Sequence, residues 1–244
     1  MRPNVSHVQP VGRQAPSSRM VVAALFTLTV ALPSLPPSGL AGSDVVGSRA
    51  AQVVASARTQ IGTTIRYDSS YIRLSYPNGD LPLDRGVCTD VIIRAFRSVG
   101  VDLQREVHQD MEANFSKYPQ LWGLKRPDSN IDHRRVPNLM TFLQRRGKSR
   151  PVTQSAGDYR PGDVVAWRLG NGLHHIGLLS DRISLPGTPL VIHNIGAGTQ
   201  EEDILFSFKI LGHYQWFDSA DETERSPEAP AATRPRDVVP TLHP

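Results

Sequence analysis

The hydrophobic period of the chain changes near residue 160, and this limits the architectures open to it. Before that point apolar residues recur at helical spacing. Val53, Val54, Ala57 and Ile61 lie on one face of residues 48–61, with Gly62 as the stop. Val87, Val91, Ile92, Ala95, Phe96 and Val99 do the same in a segment that closes near Gly100. This spacing predicts amphipathic helices. Two more are expected, at about 104–118 and from Pro137 to Arg146, since proline suits the first helical position. After residue 160, DVVAWRL (163–169), HHIGLLS (174–180), LVIHNI (190–195) and GHYQWF (212–217) read as strands between turn signals. Helices first and strands afterwards argue an α+β domain with an antiparallel sheet.

That domain is expected over residues 44–218, with a helical insert at about 101–150 and no internal repeat. The ends read differently. Arg13 and Arg19 precede the apolar run Val21 to Leu32, a proline-rich stretch follows, and Gly39-Leu40-Ala41 offers small residues where a signal peptidase reads. This is the layout of a secretory signal peptide over residues 1–41, with Met20 as an alternative start. The run is shorter than the about 20 residues of a membrane span. No stable span is therefore expected after cleavage, and the mature protein is expected to be periplasmic or secreted. Residues 219–244 are rich in Pro, Ala, Glu, Thr and Arg without periodicity, and read as a disordered tail. The net charge of +4 is mild, and basic runs such as Arg145 to Arg150 lack interleaved aromatics. They read as a solvated helix end, and no nucleic-acid partner is expected. The protein is expected to be a monomer.

Cys88 is the only cysteine. An exported protein with one cysteine forms no internal disulfide, so the thiol is either inert and buried or reactive. It sits where a glycine-containing loop enters a helix. Unpaired N–H groups and the helix dipole at that position favour the thiolate. A thiol nucleophile needs an imidazole to take its proton and a third polar group to orient that imidazole. His174, His175 and His193 lie in the strand-rich half, His174 and His175 on opposite faces of one strand, with Asn194 after His193. His108 and His213 read as structural, and Asp132-His133 as a structural ion pair. No metal-ligand spacing or phosphate loop is present, and no cofactor is implied. Two irregular stretches, 63–87 and 119–135, carry Tyr71, Tyr76 and Trp122, which line a cleft or plug the core.

Several blocks resemble those of NlpC-type cell-wall peptidases, a papain-like superfamily. They are Gln60 to Tyr67, PGDVVAW from Pro161, His175-Ile176-Gly177-Leu178-Leu179, and Val191-Ile192-His193. More closely, the stretch from Tyr67 to Tyr214 resembles the uncharacterised YijF-like family of bacterial envelope proteins, through RGVCTDV, NIDHRRVPNL, PGDVVAW, LHHIG and HNIGAG. The resemblance implies a papain-like NlpC-type fold, with Cys88 as nucleophile, His175 as base and His193 as orienting residue. Asn194 is the alternative for that last role. It also implies Tyr67 in the substrate site, with His174 and Asn194 as further substrate contacts. The superfamily's Asp-Cys-Ser-Gly is here Val87-Cys88-Thr89-Asp90, and the loop before the cysteine is longer.

By this resemblance the expected activity is a cysteine peptidase or amidase acting on peptidoglycan stem peptides. Two alternatives stand beside it: an envelope binding module on the same fold, and a thiol acyltransferase using the same residues.

Overall fold

The computed structural model describes residues 48–217. The expected signal peptide (1–41) and tail (219–244) lie outside them. Among the described residues no helix is long and apolar enough to cross a membrane.

Four helices come first in the chain, with two short strands between the first and second. Helix α1 (Arg49–Arg58) starts at Ser48, whose hydroxyl accepts from Ala51 N–H, and buries Val53, Val54 and Ala57. The first strands, β1 (Arg66–Tyr67) and β2 (Arg85–Gly86), pair in parallel where the long loop closes on itself. Helix α2 (Cys88–Arg97) begins directly after β2 and is buried almost all round. Full burial of Val91, Ile92 and Phe96 contributes on the order of 2 kcal/mol each. Helix α3 (Leu103–Asn114) is capped by Asp102, whose carboxylate accepts from Gln104 N–H. Helix α4 (Val136–Arg145) has Pro137 in its first turn and buries Leu139, Phe142 and Leu143. The expected 104–118 helix is shorter, because at Phe115 the chain tightens into a 3-10 turn.

The second half forms one antiparallel sheet from β3 (Ser149–Arg150), β4 (Val164–Arg168), β5 (His174–Ile183), β6 (Pro189–Asn194), β7 (Thr199–Glu202) and β8 (Lys209–Tyr214), in the spatial order β3-β8-β4-β5-β6-β7. The α+β class is as expected. Alternation sorts the strand residues. Val164, Ala166, Ile176, Leu178 and Ile192 join the helices in the main core. Val165, Trp167, Leu179 and Val191 pack with Tyr159 and Leu205 in a second core.

Strand β7 is not among the expected strands. Its sequence, Thr-Gln-Glu-Glu, has no apolar alternation, because it is the sheet's outer strand and only its first residue is buried. Its register on β6 pairs His193 with Gln200 and Val191 with Glu202.

The long loop before Cys88 is fixed by side chains. The buried Arg94 guanidinium pairs with Asp80 at 3.0 Å and donates to Arg85 O at 2.9 Å and to Thr64 Oγ1 at 3.0 Å. Gln104 accepts from Gly79 N–H, and Asp102 from Asn78 N–H, each at 2.8 Å. Asn78 has φ of 63°, consistent with the turn read at Asn78-Gly79. Helices α2 and α3 thus hold the loop that carries Tyr67.

Candidate active site

Cys88 is the first residue of α2, and Val87 before it is extended. Asp90 holds the approach, its carboxylate accepting from Val87 N–H at 2.7 Å. The same carboxylate pairs with Arg134 at 3.1 Å, both side chains being buried. Arg134 also donates to Asp68 O and Ser70 O, and Thr89 donates its hydroxyl proton to Arg134 O at 3.1 Å. One buried ion pair therefore ties the start of α2 to the loop after Tyr67 and to the segment before α4.

The thiol is 3% exposed. The backbone N–H groups of Ile176 and Thr89 and the Tyr67 hydroxyl favour its charged form. Among the described residues no hydrogen bond links Sγ to the His175 ring. Burial pushes the thiol up to about 11; the N–H of Ile176 opposes this and the Asp90 carboxylate adds to it. The expected gain from the helix N-terminus is outweighed, because desolvation disfavours the charged form more than the first-turn N–H groups favour it.

His175 is 2% exposed and stacks on Trp167, its partner across β4–β5. Its Nε2 lies 3.0 Å from His193 Nδ1, and His193 Nε2 lies 3.0 Å from Glu202 Oε2. The tautomers follow from the far end. An ionised carboxylate only accepts, so His193 carries its proton on Nε2 and accepts at Nδ1. His175 must then donate from Nε2, which leaves its Nδ1 with a free lone pair. Burial, with His193 beside it, pushes the His175 imidazole down to about 3. Burial likewise lowers His193, and the Glu202 carboxylate opposes it.

Gly177 makes this contact possible. It lies between the two histidines on the same sheet face. A Cβ there would stand 2.5 Å from Val191 Cγ1 and 3.2 Å from His193 Cβ. The His-x-Gly spacing is thus a packing requirement.

Above the thiol lies a cleft of about 690 Å³, lined by Cys88, Tyr67, Trp122, Arg135, Leu173 and His174 among others. A smaller hollow of about 390 Å³ adjoins it through Tyr67, Leu173 and His174, and its wall includes His175. Tyr67 is 43% exposed at the junction. Burial of its ring end and the neighbouring Cys88 raise its hydroxyl well above the ordinary phenol range, so it stays a donor.

Of the residues singled out from sequence, Cys88, Tyr67 and His174 line the larger cleft, Tyr67, His174 and His175 line the adjoining hollow, and His193 stands behind His175. Asn194 lies elsewhere. It is fully buried, donates to Gly86 O at 3.0 Å and accepts from Gly196 N–H, so it orients neither histidine and touches neither cavity. The substrate contact and alternative orienting role expected of it are corrected to a tie between β6 and the residues preceding Cys88. Asp132 forms an ion pair, but with Arg135 at 3.3 Å and not with His133, whose buried Nδ1 has no partner. His213 is structural, bonded to Asp163 at 2.8 Å. Among the described residues no group of three or more His, Cys, Asp or Glu is arranged to hold a metal ion. Glu202 is the residue that sequence reading missed. The only signal for it is a carboxylate a hairpin's length beyond His193, in a segment that does not read as a strand.

A family described as "Domain of unknown function (DUF1287)" matches residues 54–216. The "Uncharacterized protein YijF" of Escherichia coli (strain K12) is 55% identical over 185 residues, covering 76% of this chain and 89% of that protein. Among solved structures, NlpC1 from Trichomonas vaginalis superposes with a TM-score of 0.39 at 12% identity, over 71% of this chain and 46% of that one.

Proposed function

For this chain, which belongs to the DUF1287 family, we propose a thiol hydrolase that cleaves an amide bond. The observation that carries this is the run of contacts Glu202–His193–His175, ending in a ring nitrogen with a free lone pair on a residue of the hollow that adjoins the cleft lined by Cys88.

The resting pair is a neutral thiol and a neutral imidazole, since burial holds one up at about 11 and the other down at about 3. Proton transfer therefore accompanies attack. Cys88 Sγ adds to the acyl carbonyl as His175 Nδ1 takes the thiol proton. The C–N bond breaks, and His175 returns that proton to the leaving amine, giving a thioester on Cys88. Water then adds to the thioester by the same route, giving a carboxylic acid and the free thiol. The Cys88 N–H, in the first turn of α2, has no helical partner. With the Tyr67 hydroxyl it is available to the developing oxyanion.

The blocks shared with NlpC-type peptidases, together with the N-terminal layout of the sequence, support an exported enzyme acting on peptidoglycan stem-peptide amides. The cleft's loops set that choice. The full chain, its Cys88→Ala variant and its His175→Ala variant are incubated with purified peptidoglycan, and released fragments are read by mass spectrometry. Cleavage by the unaltered chain alone supports the reading. Equal release by all three contradicts it.

A further inference from the structure

Helix α4 buries Leu139, Phe142 and Leu143. It leaves a second face, Pro137, Met140, Thr141 and Gln144 at helical spacing, over the outer part of the sheet. Between that face and strands β3 and β8 lies a hollow of about 350 Å³, within the size range of small-ligand sites. It adjoins the thiol cleft, because Pro137 and His174 line both. His174 shares the helix-facing side of β5 with Ile176 and so stands between the two spaces.

Tyr214 belongs to the wall of this hollow. Its ring joins the main core and the residue is 5% exposed. Among the described residues its hydroxyl has no hydrogen-bond partner. Hydroxyls on buried residues are nearly always bonded. Burial raises this one to about 12, so it stays protonated and able to donate. The strand is shaped to keep it there. Gly212 pairs with Ala166 and Ile210 with Trp167, so Leu211 is an extra, bulged residue. Gly212 lies on the same face as Tyr214, and a Cβ on it would run into Tyr214 Oη. A phenylalanine would fill the core as well and leave no polar atom unpaired. The hydroxyl is therefore explained by a guest better than by the fold.

The remaining wall selects an uncharged guest. Among its described residues there is no aspartate or glutamate to hold a cation. Arg150 donates to Gln215 at 2.9 Å and to Ser149 O at 3.2 Å, and His213 is bonded to Asp163. Thr141 donates its hydroxyl proton to Pro137 O. The Tyr214 hydroxyl and the Gln144 amide are left to meet a guest, beside apolar Met140, Val152 and Leu211. That set suits a peptide group with small side chains, which offers a carbonyl oxygen to the phenol and C–H surface to the rest.

We propose that this hollow is a second substrate subsite, which takes an uncharged peptide stretch running on from the scissile amide past His174, with a carbonyl oxygen of that stretch accepting from Tyr214 Oη. The proposal rests on the hydrolase reading for the scissile amide, but not for the binding of the peptide.

The test therefore reads binding and cleavage separately. N-acetylated alanine peptide amides, from dipeptide to hexapeptide, are titrated calorimetrically into the full-length Cys88→Ala chain. Affinity should rise about tenfold in one step, at the length that reaches the hollow. Cys88→Ala/Tyr214→Phe should bind the peptides beyond that step about fivefold more weakly and the shorter ones unchanged. Its urea midpoint should not fall, because the deleted hydroxyl has no protein partner. Cys88→Ala/Gly212→Ala, which displaces the hydroxyl, should weaken the same long peptides alone. Binding of none of the peptides, affinity that does not depend on length, or a step that survives Tyr214→Phe overturns the subsite. Cleavage of the same peptides by the unaltered chain, lost in Cys88→Ala, reports on the hydrolase reading. A Tyr214-dependent step without cleavage would uphold the subsite and count against hydrolysis.

Discussion

His193 Nδ1 lies 3.0 Å from His175 Nε2 at right angles to it, the two rings being 80° apart. That contact fixes which nitrogen of His175 is free. It is itself fixed from outside by Glu202, on a strand that looks unremarkable in the sequence.

Glu202 is a positioning residue, since it acts only through His193. Glu202→Ala should lower kcat on the order of tenfold with little change in KM. Glu202→Gln should recover most of the loss, because its amide oxygen still accepts from His193 Nε2–H and keeps the tautomers. Steady-state kinetics with any substrate cleaved through Cys88 distinguishes this from a structural role. Equal loss in both variants, or a rise in KM alone, goes against it.

Gly177→Ala should destabilise the fold by about 1–3 kcal/mol, because the new Cβ meets Val191 2.5 Å away and His193 3.2 Å away within a packed sheet face. It should also spoil the His175–His193 contact. Urea unfolding checks the first effect, and activity of the folded fraction the second. A neutral substitution would mean that β5 and β6 are less tightly apposed.

The ion pair of Asp90 and Arg134 is buried, with side chains 4% and 1% exposed. Arg134→Met leaves an uncompensated carboxylate inside and should cost about 3–5 kcal/mol. Asp90→Asn with Arg134→Met should cost less than Arg134→Met alone. Chemical denaturation of the two variants measures the difference. Identical costs would show that the charge is not what matters.

His133 is pushed down to about 3 by burial, against an ordinary value of 6.5. The unfolded chain then binds a proton below 6.5 that the folded chain refuses until about 3. Stability contributed in this way is fully present above 6.5 and is lost as pH falls through that window. From pH 7 to pH 5 the loss is about 2 kcal/mol for each such histidine, and His175, also at about 3, behaves alike. His133→Leu should reduce the pH dependence of unfolding free energy by that amount. An unchanged slope would mean that His133 gains a proton while folded.

The sequence carried the helices and four of the sheet strands because their apolar periods are strong, and Cys88, His175 and His193 stand out in it because a lone thiol and strand histidines are recognisable residue types. Strand β7 escaped for a physical reason: an edge strand of polar residues needs no alternation, and Glu202 went with it. Asn194 was misread because its neighbourhood in sequence, beside His193, says nothing of its face. Alternation turns it away from the histidines and toward Gly86. The state of the thiol was misjudged because a helix start is visible in a sequence, while the burial that outweighs it is set by packing from strand β5.

The central claim is that Cys88 carries the acyl group between the amide and water. The direct measurement is the intact mass of the full chain, quenched in acid during turnover of peptidoglycan peptides. The account predicts a transient adduct equal to the acyl fragment, mapped to Cys88, and absent from Cys88→Ala, which releases no product. Steady product release without an adduct, from a Cys88→Ala chain as active as the original, would contradict it.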